Sequence, residues 1–247
     1  METIVAEVEN LKKGFGSNKV LNGLTIKVKE GENLVVLGRS GSGKSVLIKC
    51  LVGLIEPDEG NIVLLGESIT DLEIDALNLL RKKIGFLFQS AALYDSMTVR
   101  ENLEFPLRGN KELKREEIDS LVEEALKNVG LSEAIDKMPS ELSGGMRKRV
   151  GLARTLILKP KIIFYDEPTT GLDPITSEEI SLLILDIQKK YNTSSIIITH
   201  DMECARITAN RMIIIKDGIS IAEGKFEELE KSKDEWVRSF FKSKNEN

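Results

Sequence analysis

A glycine-rich stretch at residues 38–45 constrains this chain more than any other feature of its sequence. It reads GRSGSGKS and directly follows the apolar run at 33–37. The pattern G-x-x-x-x-G-K-[ST] is typical of a loop whose backbone N–H groups surround a polyphosphate where a strand passes into a helix. Glycine permits the close approach that this requires, and the positive end of the helix faces the phosphates. The pattern therefore predicts a nucleoside triphosphate site.

Two side chains of this loop have predicted roles. Lys44 would hold β and γ oxygens of the triphosphate, and Ser45 would ligate Mg²⁺. A glycine-rich turn without a ligand is the simpler alternative, and the order strand, loop, helix disfavours it. The residues predicted to bind the nucleotide are Gly38, Arg39, Ser40, Gly41, Ser42, Gly43, Lys44 and Ser45.

Composition and charge exclude several classes of protein. The chain has 247 residues, of which 41% are hydrophobic and 30% charged, as in globular proteins with a full core. Its formal net charge of -5 argues against binding nucleic acid through the overall field. The basic run at 147–149 is interpreted as a solvated helix face, with a local basic patch as the alternative. We expect no nucleic-acid partner.

The cysteines and the N-terminus indicate where the protein works. Cys50 and Cys204 lie far apart in the sequence, without histidine at metal-ligand spacing, so buried, reduced thiols are expected. Such thiols suit a reducing compartment. The N-terminus has no secretory or transit pattern, and no stretch approaches about 18 uninterrupted apolar residues. We expect the protein to serve a membrane only from its cytoplasmic surface, through a partner.

The order of predicted elements indicates an α/β fold. Strands at the N-terminus are expected to be antiparallel, with a turn at 12–16, and later strands alternate with helices, which predicts a mainly parallel sheet. Residues 90–159 have a helical period of about 3.6 and predict an inserted helical subdomain. We expect one domain over 1–247, with its core formed by 1–89 and 160–247. The predicted strands are 4–8, 24–29, 33–37, 61–65, 84–88, 161–166, 195–199, 212–215 and 219–222; helices are predicted over 176–190 and from 201, and the polar tail 242–247 is expected to fray.

Polar side chains follow three predicted strands. Asp166 and Glu167 end one strand and His200 ends the next, and the carboxyl ends of parallel strands lie side by side. An aspartate there can hold Mg²⁺ or its waters, and a second carboxylate can act as base for the water that attacks the γ-phosphate. We therefore expect these side chains to converge on the phosphate loop. Gln89 has two interpretations, a cap on its strand or a ligand of metal and water.

A second candidate for binding anions lies in the segment ELSGGMRKRVGLAR at 141–154. Ser143, Gly144 and Gly145 open a helix with free backbone N–H groups. One nucleotide rarely needs two helix N-termini from separate subdomains. A two-fold dimer resolves this, because each such helix start can serve the nucleotide held by the other copy. The sequence thus predicts a second copy of itself as a partner.

Together these motifs resemble the ATP-binding subunit of ABC transporters, over essentially the whole chain. The resemblance implies a P-loop fold of ABC type and an ATPase that uses ATP and Mg²⁺, dimerises, and drives integral-membrane permease subunits. It implies that Phe15 stacks on adenine and that the catalytic residues are Glu167, His200 and Gln89. It also implies that Ser143, Gly144 and Gly145 contact the γ-phosphate of the other copy, and that Asp173 belongs to the D-loop. Mg²⁺ would be held by Ser45, Gln89 and Asp166, the last directly or through water.

Two stretches, 88–102 and 138–149, are similar to the ATPase of Mla/Mce-type phospholipid transporters, which maintain the lipid asymmetry of the outer membrane. Met146 stands where many other ABC ATPases carry glutamine, and Ala91 where many carry glycine. The resemblance implies two permease subunits and an MCE-domain substrate-binding protein as partners, and leaves a small regulatory subunit open. It places the chain at the cytoplasmic face of the inner membrane.

Other functions remain as alternatives. One is a soluble ABC ATPase such as that of iron-sulfur cluster assembly, and another is an ABC ATPase that drives a different substrate. A DNA-repair or chromosome-structure ATPase would need a long coiled coil between Lys44 and Asp166, and that segment has no sustained heptads. The transport substrate touches none of these residues, so the phospholipid assignment rests on resemblance alone.

Overall fold

The computed structural model describes residues 3–109 and 112–241, and the predicted frayed tail lies outside them. The strands are β1 (Ile4–Phe15), β2 (Asn18–Lys29), β3 (Asn33–Gly38), β4 (Glu59–Leu64), β5 (Glu67–Ser68), β6 (Ile84–Leu87), β7 (Ile162–Asp166), β8 (Ser194–Ile198), β9 (Arg211–Lys216) and β10 (Ile219–Gly224). The helices are α1 (Lys44–Leu51), α2 (Ile74–Arg81), α3 (Val99–Glu104), α4 (Arg115–Asn128), α5 (Gly144–Leu156), α6 (Pro174–Tyr191), α7 (Met202–Thr208), α8 (Phe226–Glu230) and α9 (Glu235–Arg238), with 3-10 turns at Phe105–Leu107, Ser132–Ala134 and Pro139–Glu141.

A six-stranded sheet in the order β10-β9-β3-β8-β7-β6 forms the centre of the molecule. Neighbouring strands are parallel except for the β9–β10 hairpin. Strand β3 is buried on both faces: Val35 and Leu37 join one hydrophobic cluster, and Leu34 and Val36 join the other. Burial on both faces explains why its sequence is continuously apolar. The predicted parallel core is confirmed.

The register of this sheet brings the candidate residues to one edge. Val36 of β3 and Asp166 of β7 both lie opposite Ile198 of β8, and Gly38 lies opposite Ile215 of β9. The carboxyl ends of these strands therefore meet where the phosphate loop begins. Ligands of open α/β sheets bind at this edge.

A smaller antiparallel sheet, in the order β2-β1-β4-β5, covers the N-terminal part. Strands β1 and β2 have 12 residues each, so the predicted strands were too short and the predicted turn at 12–16 was wrong. Charged residues continue the strand because they pair with acids where β4 begins: Lys12 Nζ lies 2.6 Å from Glu59 Oε2, and Lys13 Nζ lies 2.6 Å from Asp58 Oδ1. Phe15 therefore ends a strand.

Helices α3, α4 and α5 lie between β6 and β7, where a helical insertion was predicted. Thr98 caps α3 in a capping box with Glu101, and buried Leu103, Val122 and Val150 pack these helices into one cluster with the sheet. Helix α2 was not predicted; its amphipathic pattern buries Leu77 and Leu80 against the other cluster. None of the helices in the described part of the chain is long and apolar enough to cross a membrane.

Candidate active site

The phosphate loop joins β3 to α1, and its own lysine, Lys44, donates hydrogen bonds to the loop backbone. Ser42 N donates to the Arg39 carbonyl at 3.1 Å, and Lys44 Nζ donates to the carbonyls of Gly38 and Arg39 at 2.7 and 3.2 Å. Burial lowers the pKa of the Lys44 ammonium, and nearby Glu167 and Asp166 act in the opposite direction. The lysine is thus held inside the loop, where its carbonyl partners can be exchanged for phosphate oxygens.

Glycines shape the loop for close approach by a ligand. A Cβ on Gly38 would lie 2.3 Å from Ser42 Oγ and 2.8 Å from the Ile215 carbonyl oxygen. Gly43 has φ 99° and precedes α1 without any side-chain cap, and no acidic residue occupies the first turn of that helix. The helix N-terminus therefore keeps its backbone donors and its positive end for an anion.

The loop opens into a cleft of about 1070 Å³. The cleft brings together the loop residues Gly38, Arg39, Ser40, Gly41, Gly43, Lys44 and Ser45 with Gln89, Glu167 and His200. These three side chains come from the ends of three different strands, as the sequence predicted. The volume and the loop together suit a nucleoside triphosphate.

One oxygen of Glu167 is held by its neighbours. Its Oε2 lies 2.7 Å from His200 Nδ1 and accepts from Thr170 Oγ1 at 3.1 Å. The Glu167 side chain is 15% exposed, whereas that of His200 is 65% exposed and faces the cleft. The carboxylate is thus oriented through one oxygen, which leaves the other to accept a proton from a water molecule.

Asp166 directly precedes Glu167 and has one carboxylate oxygen without a hydrogen-bond partner. Its Oδ1 is buried and has no hydrogen-bond partner among the described residues. Burial raises the pKa of Asp166, as does the charge of Glu167, and three nearby lysines oppose the shift. A buried, unsatisfied carboxylate oxygen beside a phosphate loop fits Mg²⁺, which prefers oxygen ligands.

Lys148 lies next to this site, although it was interpreted from the sequence only as one residue of the basic run at 147–149. It is 5% exposed, so the interpretation of the run as a solvated face is wrong for this residue. Its Nζ donates to the backbone carbonyls of Gln89 at 2.5 Å and Glu167 at 3.1 Å. Burial lowers the pKa of Lys148 to about 8, against the opposing charges of Asp166 and Glu167. Its spacing of three from Gly145 and four from Leu152, which lie on the buried face of α5, was the available signal.

The serine-glycine motif packs against the start of α6, the helix that Asp173 caps. Ser143 caps α5, its Oγ accepting from Met146 N at 3.2 Å, and Asp173 caps α6 with a carboxylate that accepts from Thr176 N at 3.0 Å. A Cβ on Gly145 would lie 2.5 Å from Thr176 Cγ2. In the described part of the chain, the cleft is lined by none of the three residues of the serine-glycine motif.

Aromatic side chains of the cleft come from the C-terminal part, which sequence reasoning did not single out. Phe15 is 51% exposed and lies outside the cleft lining, with Lys13 Nζ 5.6 Å from its ring centroid. Phe240 and Phe241 line the cleft instead. Trp236 lies beside the loop, with the Arg39 guanidinium 5.5 Å from its ring centroid. Their clustering in a chain with only 5% aromatic residues was a usable signal.

The fold and the cleft together define a P-loop nucleoside triphosphatase. The family described as ABC transporter matches residues 21–170. The chain therefore belongs to the ABC transporter family, and it is an ATPase of that family. The predicted α/β fold of ABC type is confirmed as well.

Three similar proteins illustrate this membership. The probable ribonucleotide transport ATP-binding protein of Mycobacterium leprae is 40% identical over 96% of this chain, which spans 68% of that protein. The methionine import ATP-binding protein of Brucella abortus is 40% identical over 89% of this chain, which spans 59% of that protein. The dimeric ATP-binding cassette MJ0796, solved with ADP and phosphate, has a TM-score of 0.81 at 33% identity and covers 89% of this chain, which covers 98% of it.

Proposed function

We propose that this chain is the motor subunit of a transporter that moves phospholipids, and that it works as a dimer. The observation that carries the motor assignment is the Glu167–His200 pair at the edge of a phosphate-loop cleft. A carboxylate at that position can take a proton from the water that attacks the γ-phosphate. The phospholipid assignment rests on the similarity of 88–102 and 138–149 to Mla/Mce-type ATPases.

The chain's own residues supply the steps of hydrolysis. Lys44 exchanges the carbonyls of Gly38 and Arg39 for β and γ oxygens of ATP, and the N-terminus of α1 faces the same phosphates. Glu167 accepts the proton of the attacking water, and His200 keeps the carboxylate in position. Ser45, Gln89 and Asp166 would hold Mg²⁺, which when bound neutralises charge on the phosphate oxygens.

A second copy completes each site in this proposal. Ser143, Gly144 and Gly145 contact the γ-phosphate held by the other copy, and Asp173 lies beside them at the interface. The structure of a dimeric cassette similar to this chain supports the arrangement. Closure of the two copies on ATP is a rigid-body movement, and hydrolysis reverses it.

Partners in the membrane follow from the same proposal. Two permease subunits and an MCE-domain substrate-binding protein would complete the complex at the cytoplasmic face of the inner membrane, and the proposal leaves a small regulatory subunit open. Aromatic side chains after β6 support a contact there: Phe88 is 40%, Tyr94 43% and Phe105 36% exposed. Exposed apolar groups next to Gln89 suit an interface through which the site can act on a permease.

The names of similar proteins favour a second candidate, an ABC ATPase that drives another substrate. The Mycobacterium relative is named for ribonucleotide transport and the Brucella relative for methionine import. Both candidates share the same motor, because the transport substrate does not enter the nucleotide cleft.

Purification of the tagged chain from detergent-solubilised membranes of its host tests the proposal. We expect mass spectrometry to find permease and MCE-domain proteins. It should also find more phospholipid bound than in a control purification of a tagged, unrelated membrane protein. After reconstitution in vesicles, ATP should drive lipid transfer, with radiolabelled ribonucleotides and methionine as competing cargoes. Uptake of either cargo would replace the phospholipid assignment, and recovery of soluble scaffold proteins alone would favour an iron-sulfur cluster assembly ATPase.

A further inference from the structure

A buried cation joins three elements around the cleft, and the proposed reaction gives it no role. Lys148 lies in α5, the helix that begins with the serine-glycine motif, and its side chain reaches the ends of β6 and β7. It donates to the carbonyl oxygens of Gln89 and Glu167. Burial of an ammonium group is costly, and its retention next to two active-site residues calls for a physical reason.

The backbone of Glu167 provides that reason. Its φ is 50°, in the left-handed region that non-glycine residues rarely adopt. Its N–H donates to the Ile198 carbonyl at 2.9 Å, and its own carbonyl accepts from Lys148. Strained conformations persist only where the surroundings hold them. Because the direction of a side chain follows from its backbone, Lys148 contributes to the position of the carboxylate beside His200.

The same ammonium fixes the backbone of Gln89. Its hydrogen bond to the Gln89 carbonyl ties the point where β6 ends to the middle of α5. Gln89 and Glu167, which come from different strands, are therefore set relative to one another by a single side chain. Lys148 itself is absent from the residues that line the cleft in the described part of the chain.

We propose that Lys148 is a positioning residue for ATP hydrolysis, which holds the backbones of Gln89 and Glu167 in register with the helix that begins at Ser143. The inference rests on the proposed role of Glu167 as base. It also gives the two sites of a dimer a mechanical connection. A shift of α5, caused by contact of Ser143 with the other copy's nucleotide, would reach Glu167 of its own copy through one side chain.

The variant Lys148→Met tests this, because it keeps a flexible side chain and removes the charge and the donors. We expect kcat to fall by about ten- to a hundredfold, as for a small displacement of a catalytic group. The KM and the Kd for a fluorescent ATP analogue should stay within about twofold, because Lys148 does not contact the nucleotide. Lys148→Arg restores a cation with donors and should recover a large part of kcat.

Arg149→Met is a matched control on the same helix. Arg149 donates to the Val129 carbonyl at 3.1 Å and to Glu179 Oε2 at 2.8 Å, away from the cleft. We expect a lower melting temperature with kcat changed by about twofold or less. An equal loss of kcat in both variants would overturn the inference, since it would indicate a general weakening of the helix.

The outcomes separate this inference from the proposed function. Wild-type kcat in Lys148→Met, together with an inactive Glu167→Gln, would overturn the role of Lys148 alone. A wild-type chain that does not hydrolyse ATP would instead overturn the proposed function. If Lys148→Met fails to fold, Lys148→Gln offers an uncharged donor on a side chain one atom shorter, which we expect to keep at most one of the two hydrogen bonds. An intermediate kcat at unchanged KM supports positioning by both bonds, and wild-type kcat contradicts it.

Discussion

At the scale of single residues, the site depends on how one carboxylate is held. Glu167 uses one oxygen to meet Thr170 and His200, and its strained backbone is fixed at both its N–H and its carbonyl. A base that is oriented in this way before the nucleotide binds has little left to reorganise during the reaction. In the proposed reaction, His200 would therefore act through this carboxylate.

The variant Glu167→Gln should bind ATP and barely hydrolyse it. The amide keeps the size of the side chain but cannot accept a proton, and a general base contributes about 10²- to 10⁴-fold to a rate. Steady-state phosphate release measures the loss, and binding of a fluorescent ATP analogue should be unchanged. Glu203→Gln on α7, whose carboxylate pairs with Arg206, should keep wild-type turnover. Normal turnover in Glu167→Gln would exclude Glu167 as the base.

The two thiols should respond to pH in a defined direction. Cys50 and Cys204 are free and buried, and burial raises the pKa of each thiol to about 11. A raised thiol pKa stabilises the fold below the pKa of the unfolded thiol, and this contribution is lost as pH rises toward 11. We expect no reaction with a thiol reagent at pH 8 until denaturant is added, and a falling denaturation midpoint above about pH 9. Rapid labelling of native protein at pH 8 would contradict this burial.

At the scale of elements, the phosphate loop depends on the space between β3 and β9. Gly38 has no room for a Cβ because the Ile215 carbonyl oxygen would be 2.8 Å away. This oxygen belongs to a neighbouring strand and cannot move without the sheet. The entrance to the loop is therefore set by strand pairing.

Gly38→Ala should weaken ATP binding by about tenfold or more, because a displaced loop loses its aligned donors, each hydrogen bond to a charged group being worth about 1.5–3 kcal/mol. Isothermal titration calorimetry measures the affinity. Gly66→Ala is the matched control: Gly66 has φ 83° and nothing within 4 Å of an added Cβ. It should cost some stability from backbone strain and leave ATP affinity unchanged. Equal affinities for both variants would show that the loop tolerates the displacement.

The sequence predicted elements whose signal is local and missed those that depend on partners. The phosphate loop and the ends of β7 and β8 follow from apolar runs and fixed spacing. The length of β1 does not, because its lysines are stabilised by acids far along the chain. Lys148 looks solvated in a run of charges, and only the contact of α5 with two strand ends shows that it is buried.

At the scale of the whole molecule, the proposed dimer divides each nucleotide site between two copies. The phosphate loop and the serine-glycine motif lie on different parts of the same chain, and only the loop opens into the cleft. In the proposed dimer each nucleotide is enclosed by the loop of one copy and the motif of the other. Dimers formed from two different variants can test this. One mutation in the loop and one in the motif then meet at the same site, and the second site keeps wild-type residues.

Lys44→Ala and Gly144→Asp should each abolish ATP hydrolysis, and a mixture of the two should recover part of it. Lys44→Ala removes the phosphate-binding ammonium, and Gly144→Asp places a carboxylate against the γ-phosphate. In a mixed dimer both lesions fall on one site and the other site is intact. Phosphate release from 1:1 mixtures, compared with each variant alone, measures the recovery. No recovery in dimers shown to be mixed would contradict the shared site.

The position of Trp236 makes its intrinsic fluorescence a reporter of the phosphate loop. It is the only tryptophan of the chain, and its ring lies 5.5 Å from the Arg39 guanidinium and 4.9 Å from Lys216 Nζ. Arg39 belongs to the phosphate loop, so a loop that closes on phosphates changes the charge next to the indole. Emission excited at the indole band therefore has a single source, and stopped-flow recording can follow loop occupancy in real time without any attached dye.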